Sequence, residues 1–180
     1  RRPVAWRACR RRAQRRRPVA GRHGSPIPGL QLVGVEFEHD SVMRARATIE
    51  TERLTDRIEI REAKPTDPGH TGEYDLAYFQ YALHQLADPV AALRVAFAAL
   101  RPGGRIVVLD WPLPDGTDES RTRHGELIAG VQLDELFQGT ALVTRDRYLA
   151  WFAQAGLASP LAIDLPSGAT LFVVERERVA

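Results

Sequence analysis

The segment Tyr74–Trp111, YDLAYFQYALHQLADPVAALRVAFAALRPGGRIVVLDW, restricts the fold more than any other part of the chain. It passes from an apolar strand through a loop to an amphipathic helix, then through a Pro-Gly-Gly turn into a second apolar strand. Asp88 is placed to cap the helix, and Pro89 suits its first turn because proline has no N–H to leave unsatisfied. Val90, Leu93, Ala96, Phe97 and Leu100 fall on one face at helical spacing. Strand, helix and strand in this order make a βαβ unit.

The alternation continues on both sides. Leu30–Glu36 is a short apolar run ending in an acid and predicts a buried strand. Asp40 or Ser41 offers a cap for a helix over about Val42–Leu54. Arg57–Arg61 alternates apolar and charged residues, as a half-exposed strand does. Lys64–Glu73 carries Pro65, Pro68, Gly69 and Gly72 and predicts a loop. Beyond Trp111, Pro112–Arg123 is polar and turn-rich, and Gly125–Phe137 predicts a helix. Arg145–Ala155 predicts another, capped by Thr144 and closed by Gly156. Ala158–Leu165 and Thr170–Glu175 flank Pro166-Ser167-Gly168 and predict a closing hairpin. The sum is an α/β fold on a mostly parallel sheet, with one strand of the hairpin antiparallel.

The 180 residues suit one domain, and 44% apolar with 27% charged content is ordinary for a globular chain. No apolar run approaches the ~20 residues that span a bilayer, and a cytoplasmic location is the default expectation. The single cysteine, Cys9, excludes an internal disulfide framework and a cysteine-based metal site, and the five histidines lack metal-ligand spacing. No metal is expected.

Charge is uneven. Ten of the 25 basic residues are arginines before Gly24, and no acid precedes Glu36, so the remainder of the chain is acidic. Three readings of residues 1–27 stand beside one another: a disordered, self-repelling tail, a basic arm for nucleic acid, and a frameshifted start. The third is favoured by the absence of an initial Met and by the Arg, Ala, Pro and Gly composition, with the true frame rejoined near Pro26–Gly29. Residues 28–180 would then be the folded domain.

Several side chains fall where chemistry is expected. In a doubly wound sheet the C-terminal edge of the strands faces the ligand. Glu36 ends the first strand there, and its carboxylate suits both ribose hydroxyls of an adenosine. That role serves NAD and S-adenosylmethionine (SAM) equally, and a solvated strand-end acid is the plain alternative. Phe37 is placed to pack on the adenine or in the core.

At this point the motifs acquire a family likeness. Gly34–Ala47, GVEFEHDSVMRARA, resembles the second strand and following helix of class I SAM-dependent methyltransferases. YDLAYFQYALHQLADP resembles the fourth strand and the loop under the methionine portion of SAM, and LRPGGRIVVLDW the fifth strand. The closing hairpin is similar to strands six and seven. The likeness runs from about Pro28 to Glu175. It implies a Rossmann-like sheet with SAM as cofactor and with Glu36, Phe37, Glu62, Ala63, Phe79 and Gln80 as its contacts. It also implies His84 as the base that deprotonates an acceptor hydroxyl, as in the O-methyltransferases of the caffeate type, with a capping or packing role as the plain alternative. Tyr81, Asp110 and Trp111 would line the acceptor pocket; Tyr78 and Phe79 could join them or sit in the core, and His124 and Glu126, at the start of the later helix, could reach it or lie at the surface.

Two departures from the family pattern stand out. The glycine-rich cofactor loop should precede Gly29, where only the Arg-rich segment occurs. The first strand, which belongs at the sheet centre, is therefore missing or replaced. Lys64 also stands where the family often has the acid that holds the adenine amino group. The expected function is methyl transfer to a hydroxyl of a small molecule, with a homodimer in a full-length form. The alternatives are a truncated remnant that binds no SAM, a nucleic-acid-binding module and an NAD-dependent oxidoreductase.

Overall fold

A computed structural model describes residues 30–67, 69, 71–114 and 116–178, together with the backbone of 6–11. Seven strands form one sheet in the order β3-β2-β1-β4-β5-β7-β6. They are β1 (Trp6–Arg11), β2 (Leu30–Glu36), β3 (Ile58–Glu62), β4 (Tyr74–Gln80), β5 (Leu100–Asp110), β6 (Leu161–Asp164) and β7 (Thr170–Glu175). The pairs β2–β3 and β4–β5 are parallel. The pairs β5–β7 and β6–β7 are antiparallel, so the closing hairpin forms as the sequence predicts.

The sheet centre is the unexpected part. The gap between β2 and β4 is filled by β1, which comes from the Arg-rich segment. It runs antiparallel to both neighbours, with Trp6 opposite Val35 and Phe79 and Arg11 opposite Leu30. The first strand is thus replaced. Two parallel strands with an empty slot between them leave two rows of N–H and C=O groups unpaired, and any strand in that slot satisfies them. The remainder of the segment expected to be a tail or a frameshift product, 1–5 and 12–27, lies outside the described residues.

Helices α1 (His39–Thr51), α2 (Pro89–Ala99), α4 (Arg123–Phe137) and α5 (Arg145–Gln154), with the single turn α3 (Thr117–Ser120), complete the fold. Helix α1 starts earlier than Asp40 or Ser41 capping would require. Glu38 is its N-cap residue and makes no side-chain cap bond. Instead Glu36 Oε1 accepts the N–H groups of Phe37 and Glu38 at 2.8 and 2.9 Å, which turns the chain straight out of the strand. Helix α2 is capped as expected, with Asp88 Oδ1 accepting from Ala91 N–H at 2.8 Å. Thr144 occupies the N-cap of α5 without a side-chain bond, whereas Thr122 caps α4 by accepting from Gly125 N–H. Gly156, at φ 76°, closes α5.

The Pro-Gly-Gly turn proves to be part of strand β5. Gly103 donates to Arg176 C=O at 2.8 Å, and a Cβ on Gly104 would meet the carbonyl oxygens of Arg101 and Tyr74 at 2.9 Å. Glycine is required at 104 by close backbone approach. The core lies between α2, α5 and one sheet face, where Leu93, Ala96, Tyr148 and Phe152 pack on Phe79, Ile106, Val108 and Phe172.

Candidate functional site

Strands β2, β3, β4 and β5 all end at one edge of the sheet, at Glu36, Glu62, Gln80 and Asp110. Two environments occur along it. On the β2–β3 side Glu36 is 3% exposed. Its Oε1 is occupied by two backbone N–H groups, but its Oε2 is buried without a hydrogen-bond partner among the described residues. A buried carboxylate oxygen left unpaired is costly, and it calls for a donor such as a ribose hydroxyl. Phe37 beside it is exposed and free of the core. Glu62 lies opposite Glu36 in register, and its Oε1 sits 3.0 Å from His39 Nδ1. Ala63 donates its N–H to Glu36 C=O and packs against the core. Lys64 is exposed, and its backbone N–H binds Asp67 Oδ2 at 2.9 Å.

On the β4–β5 side the expected contacts divide. Phe79 is 1% exposed and belongs to the core, so its side chain cannot serve as a cofactor contact. The strand alternation that exposes Gln80 turns Phe79 inward. Tyr81 has φ 51° and stacks on Trp111 with ring centroids 4.3 Å apart. Asp110 is fully buried and Trp111 half-buried. Tyr78 is half-buried and Glu126 exposed. The His124 ring lies against Gly168, where a Cβ would meet it at 1.9 Å. His124 also lines a cavity of about 450 Å³ with Pro112, Leu113, Arg145, Asp164 and Thr170. That cavity is at the ligand edge, because Thr170 pairs with Asp110. A larger hollow of about 730 Å³, bordered by Gln31, Ile58, Arg57 and Tyr74, sits where β2, β3 and β4 begin and contains none of the expected site residues.

His84 lies in a single turn of 3₁₀ helix, Leu83–Gln85, with its side chain 1% exposed. Its Nδ1 is 2.8 and 2.9 Å from the two Asp110 oxygens. Its Nε2 is 3.3 Å from Glu135 Oε2 on α4, an ion-pair distance at which hydrogen-bond geometry is not met. Glu135 Oε2 also accepts from Gln85 Nε2 at 2.8 Å and from Thr140 Oγ1 at 2.7 Å. Burial alone would lower the His84 pKa; the hydrogen bond and charge of Asp110 and the charge of Glu135 outweigh it and raise the value above 6.5. Burial raises the Glu135 carboxyl, and the bonds from Thr140 and Gln85 with the His84 charge bring it below its ordinary value. Tyr148 on α5 is pushed well up, first by burial and then by the nearby Asp110 charge, although its hydroxyl makes no hydrogen bond. A base must reach the proton it removes. The base role implied for His84 does not fit an imidazole whose nitrogens both face carboxylates and whose side chain is only 1% exposed.

The sequence brings Glu36, Asp110 and His84 forward but misses Glu135, Gln85, Thr140 and Tyr148. Glu135 lies 50 residues from Gln85, and a carboxylate within a solvated-looking helix carries no local signal of burial. Among the described residues no cluster of three or more His, Cys, Asp or Glu side chains could hold a metal. Among the described residues no helix is long and apolar enough to cross a membrane.

Comparison with known proteins follows the same outline. The family model described as "Methyltransferase domain" matches residues 18–108. The 27-O-demethylrifamycin SV methyltransferase of Amycolatopsis mediterranei is 27% identical over 140 residues, which is 76% of this chain and 48% of that protein. The demethylmenaquinone methyltransferase of Thermus thermophilus is 32% identical over 87 residues, 48% of this chain and 39% of that protein. The chain therefore spans half or less of the length of these curated relatives. The solved structure "PigF with SAH" superposes with a TM-score of 0.67 at 24% identity, covering 83% of this chain and 44% of that one. At that identity it shows a shared fold.

Proposed function

The chain belongs to the methyltransferase domain family, with the class I fold whose cofactor is SAM, and from that membership we propose that it serves methyl transfer to a hydroxyl of a small molecule. The observation that carries the reading is the buried, unpartnered Oε2 of Glu36 at the ligand edge. Its neighbours fit an adenosine there: Glu36 would hold the ribose, exposed Phe37 would cover the adenine, and Gln80 would face the methionine end. When bound, SAM supplies an electrophilic methyl group. The chain's own contribution is orientation and exclusion of water. Tyr81 and Trp111 form a stacked aromatic wall beside this edge, and the cavity under Pro112–Pro114 offers room for an acceptor. Oxygen as the acceptor atom is supported by the rifamycin enzyme, whose name specifies an O-linked methyl.

Isothermal titration with SAM and with its demethylated product tests the proposal. Saturable binding that weakens roughly ten- to a hundredfold in Glu36→Gln supports it, the loss expected for one hydrogen bond to a charged group. A folded protein with no measurable heat would sink it.

A second reading is favoured by the direction of β1. In this fold the cofactor's charged end is held by backbone N–H groups of a loop that follows a strand at the ligand edge. Here β1 begins at that edge and ends opposite Leu30 at the other. The chain leaves β1 away from the ligand, so among the described residues no such loop stands there. On this reading the domain keeps the fold without binding SAM, and the same titration separates the two.

A further inference from the structure

We infer that His84 is a positioning residue, a buried imidazolium clamped between Asp110 and Glu135 that fastens helix α4 to the C-terminal end of β5. The argument starts from donors and acceptors. A neutral imidazole carries one N–H and one lone pair. In this site both ring nitrogens face carboxylate oxygens, at 2.8 Å for Asp110 and 3.3 Å for Glu135. Both carboxylates are already acceptors. Asp110 Oδ1 takes the Trp111 N–H at 3.0 Å, and Glu135 Oε2 takes Gln85 Nε2 and Thr140 Oγ1. A lone pair pointed at either one would be repelled in a medium where charge is poorly screened. Two carboxylates flanking one ring favour the imidazolium, which donates from Nδ1 to Asp110 and meets Glu135 across Nε2 as an ion pair without hydrogen-bond geometry.

The elements joined this way are distant in sequence. His84 and Gln85 follow β4, Asp110 ends β5, and Glu135 lies in the last turn of α4. Tyr148 on α5 completes the surround, with a buried hydroxyl near Asp110 that makes no hydrogen bond. Helix α4 needs such a tie. Its apolar side chains Leu127, Leu133, Leu136 and Phe137 are exposed, Phe137 by 91%, so only Ile128 of its large apolar residues is fully buried. A helix with so little apolar burial is held in place by few contacts, and the charged clamp supplies one of them. Through Asp110 the same clamp fixes the backbone of Trp111 and hence the aromatic wall. The inference does not depend on SAM binding.

The clamp has a pH window. His84 titrates above its ordinary 6.5, so its contribution is complete below 6.5 and is lost as pH rises through the folded value. Glu135 titrates below its ordinary 4.5, so its contribution is present above 4.5 and is lost as pH falls through the folded value.

Two measurements on the full chain test this. Nitrogen-15 NMR of the His84 ring should show both nitrogens protonated at pH 6 and a titration midpoint above 6.5. Hydrogen exchange of the α4 amides, corrected for intrinsic rates, should speed up as that midpoint is passed. In Glu135→Gln the α4 amides should exchange roughly ten- to a hundredfold faster at pH 6, and most of the pH response should vanish. A neutral His84 tautomer at pH 6, a midpoint below 6.5, or α4 exchange unchanged by Glu135→Gln would each overturn the inference. The NMR readout needs no substitution, so it stands even if the variant folds poorly.

Discussion

The two halves of the ligand edge contain similar chemistry in opposite states. On the β4–β5 side the charges are buried and closed upon one another: His84 sits between Asp110 and Glu135, and Glu135 is shared with Gln85 and Thr140. On the β2–β3 side Glu36 is equally buried, yet one of its oxygens has no hydrogen-bond partner among the described residues, and its neighbours Phe37 and Glu62 are open to solvent. The carboxylates of the closed side, Asp110 and Glu135, are satisfied by protein donors and hold structure together, although His84 Nε2, Trp111 Nε1 and the Tyr148 hydroxyl make no hydrogen bond among the described residues. A buried group left unsatisfied is where a ligand completes the site. On the proposed reading, the residue whose type most suggests catalysis holds elements in place, and the plainer strand-end acid serves recognition.

The largest expected effect is on the closed side. Asp110→Ala removes a partner from a buried cation and should cost about 3–5 kcal/mol, read as a lowered urea midpoint at unchanged slope. A loss under about 1 kcal/mol, the size of an exposed ion pair, would break the contrast. Next is Glu36→Gln on the open side. It should leave stability within about 1 kcal/mol of the parent, because a Gln oxygen still accepts the Phe37 and Glu38 N–H groups, while SAM affinity falls. A stability loss as large as that of Asp110→Ala would place both residues in the same structural class.

Stability against pH sharpens the comparison at smaller amplitude. As pH rises above 6.5 it should decline as His84 loses its proton, and the decline should be absent in His84→Gln. Thermal unfolding in a series of buffers reads this directly. The smallest effect belongs to His39→Ala. Its contact with Glu62 is exposed on both sides, so about 0.5 kcal/mol or less is expected, and double-mutant analysis with Glu62→Gln should find little coupling.

Much of the fold is legible along the chain. Asp88-Pro89 marks the start of α2, and Gly156 the end of α5. The acids Glu36 and Asp110 close their strands where expected. These are short-range matters of capping, backbone conformation and alternation, which neighbouring residues decide among themselves. The site is less legible. Phe79 and Gln80 adjoin in sequence yet face the core and the solvent. Glu135 is an ordinary helix carboxylate until α4 is laid beside Gln85. The vacant central position of the sheet is also foreseeable, because β2 and β4 need a common neighbour. Its occupant is not, since an arginine-rich stretch lacks the apolar alternation of a strand.

From the sequence alone came the order of elements, the closing hairpin, the family likeness and the acid at the end of β2. Local hydrogen bonding and apolar periodicity suffice for those. Only the tertiary structure decided the direction of β1, the inward turn of Phe79 and the capture of His84 between two carboxylates. Backbone groups in an open slot accept a strand of either polarity. The state of an ionisable side chain is set by whatever charges the fold brings within a few ångströms, and their distance along the chain has no bearing on that.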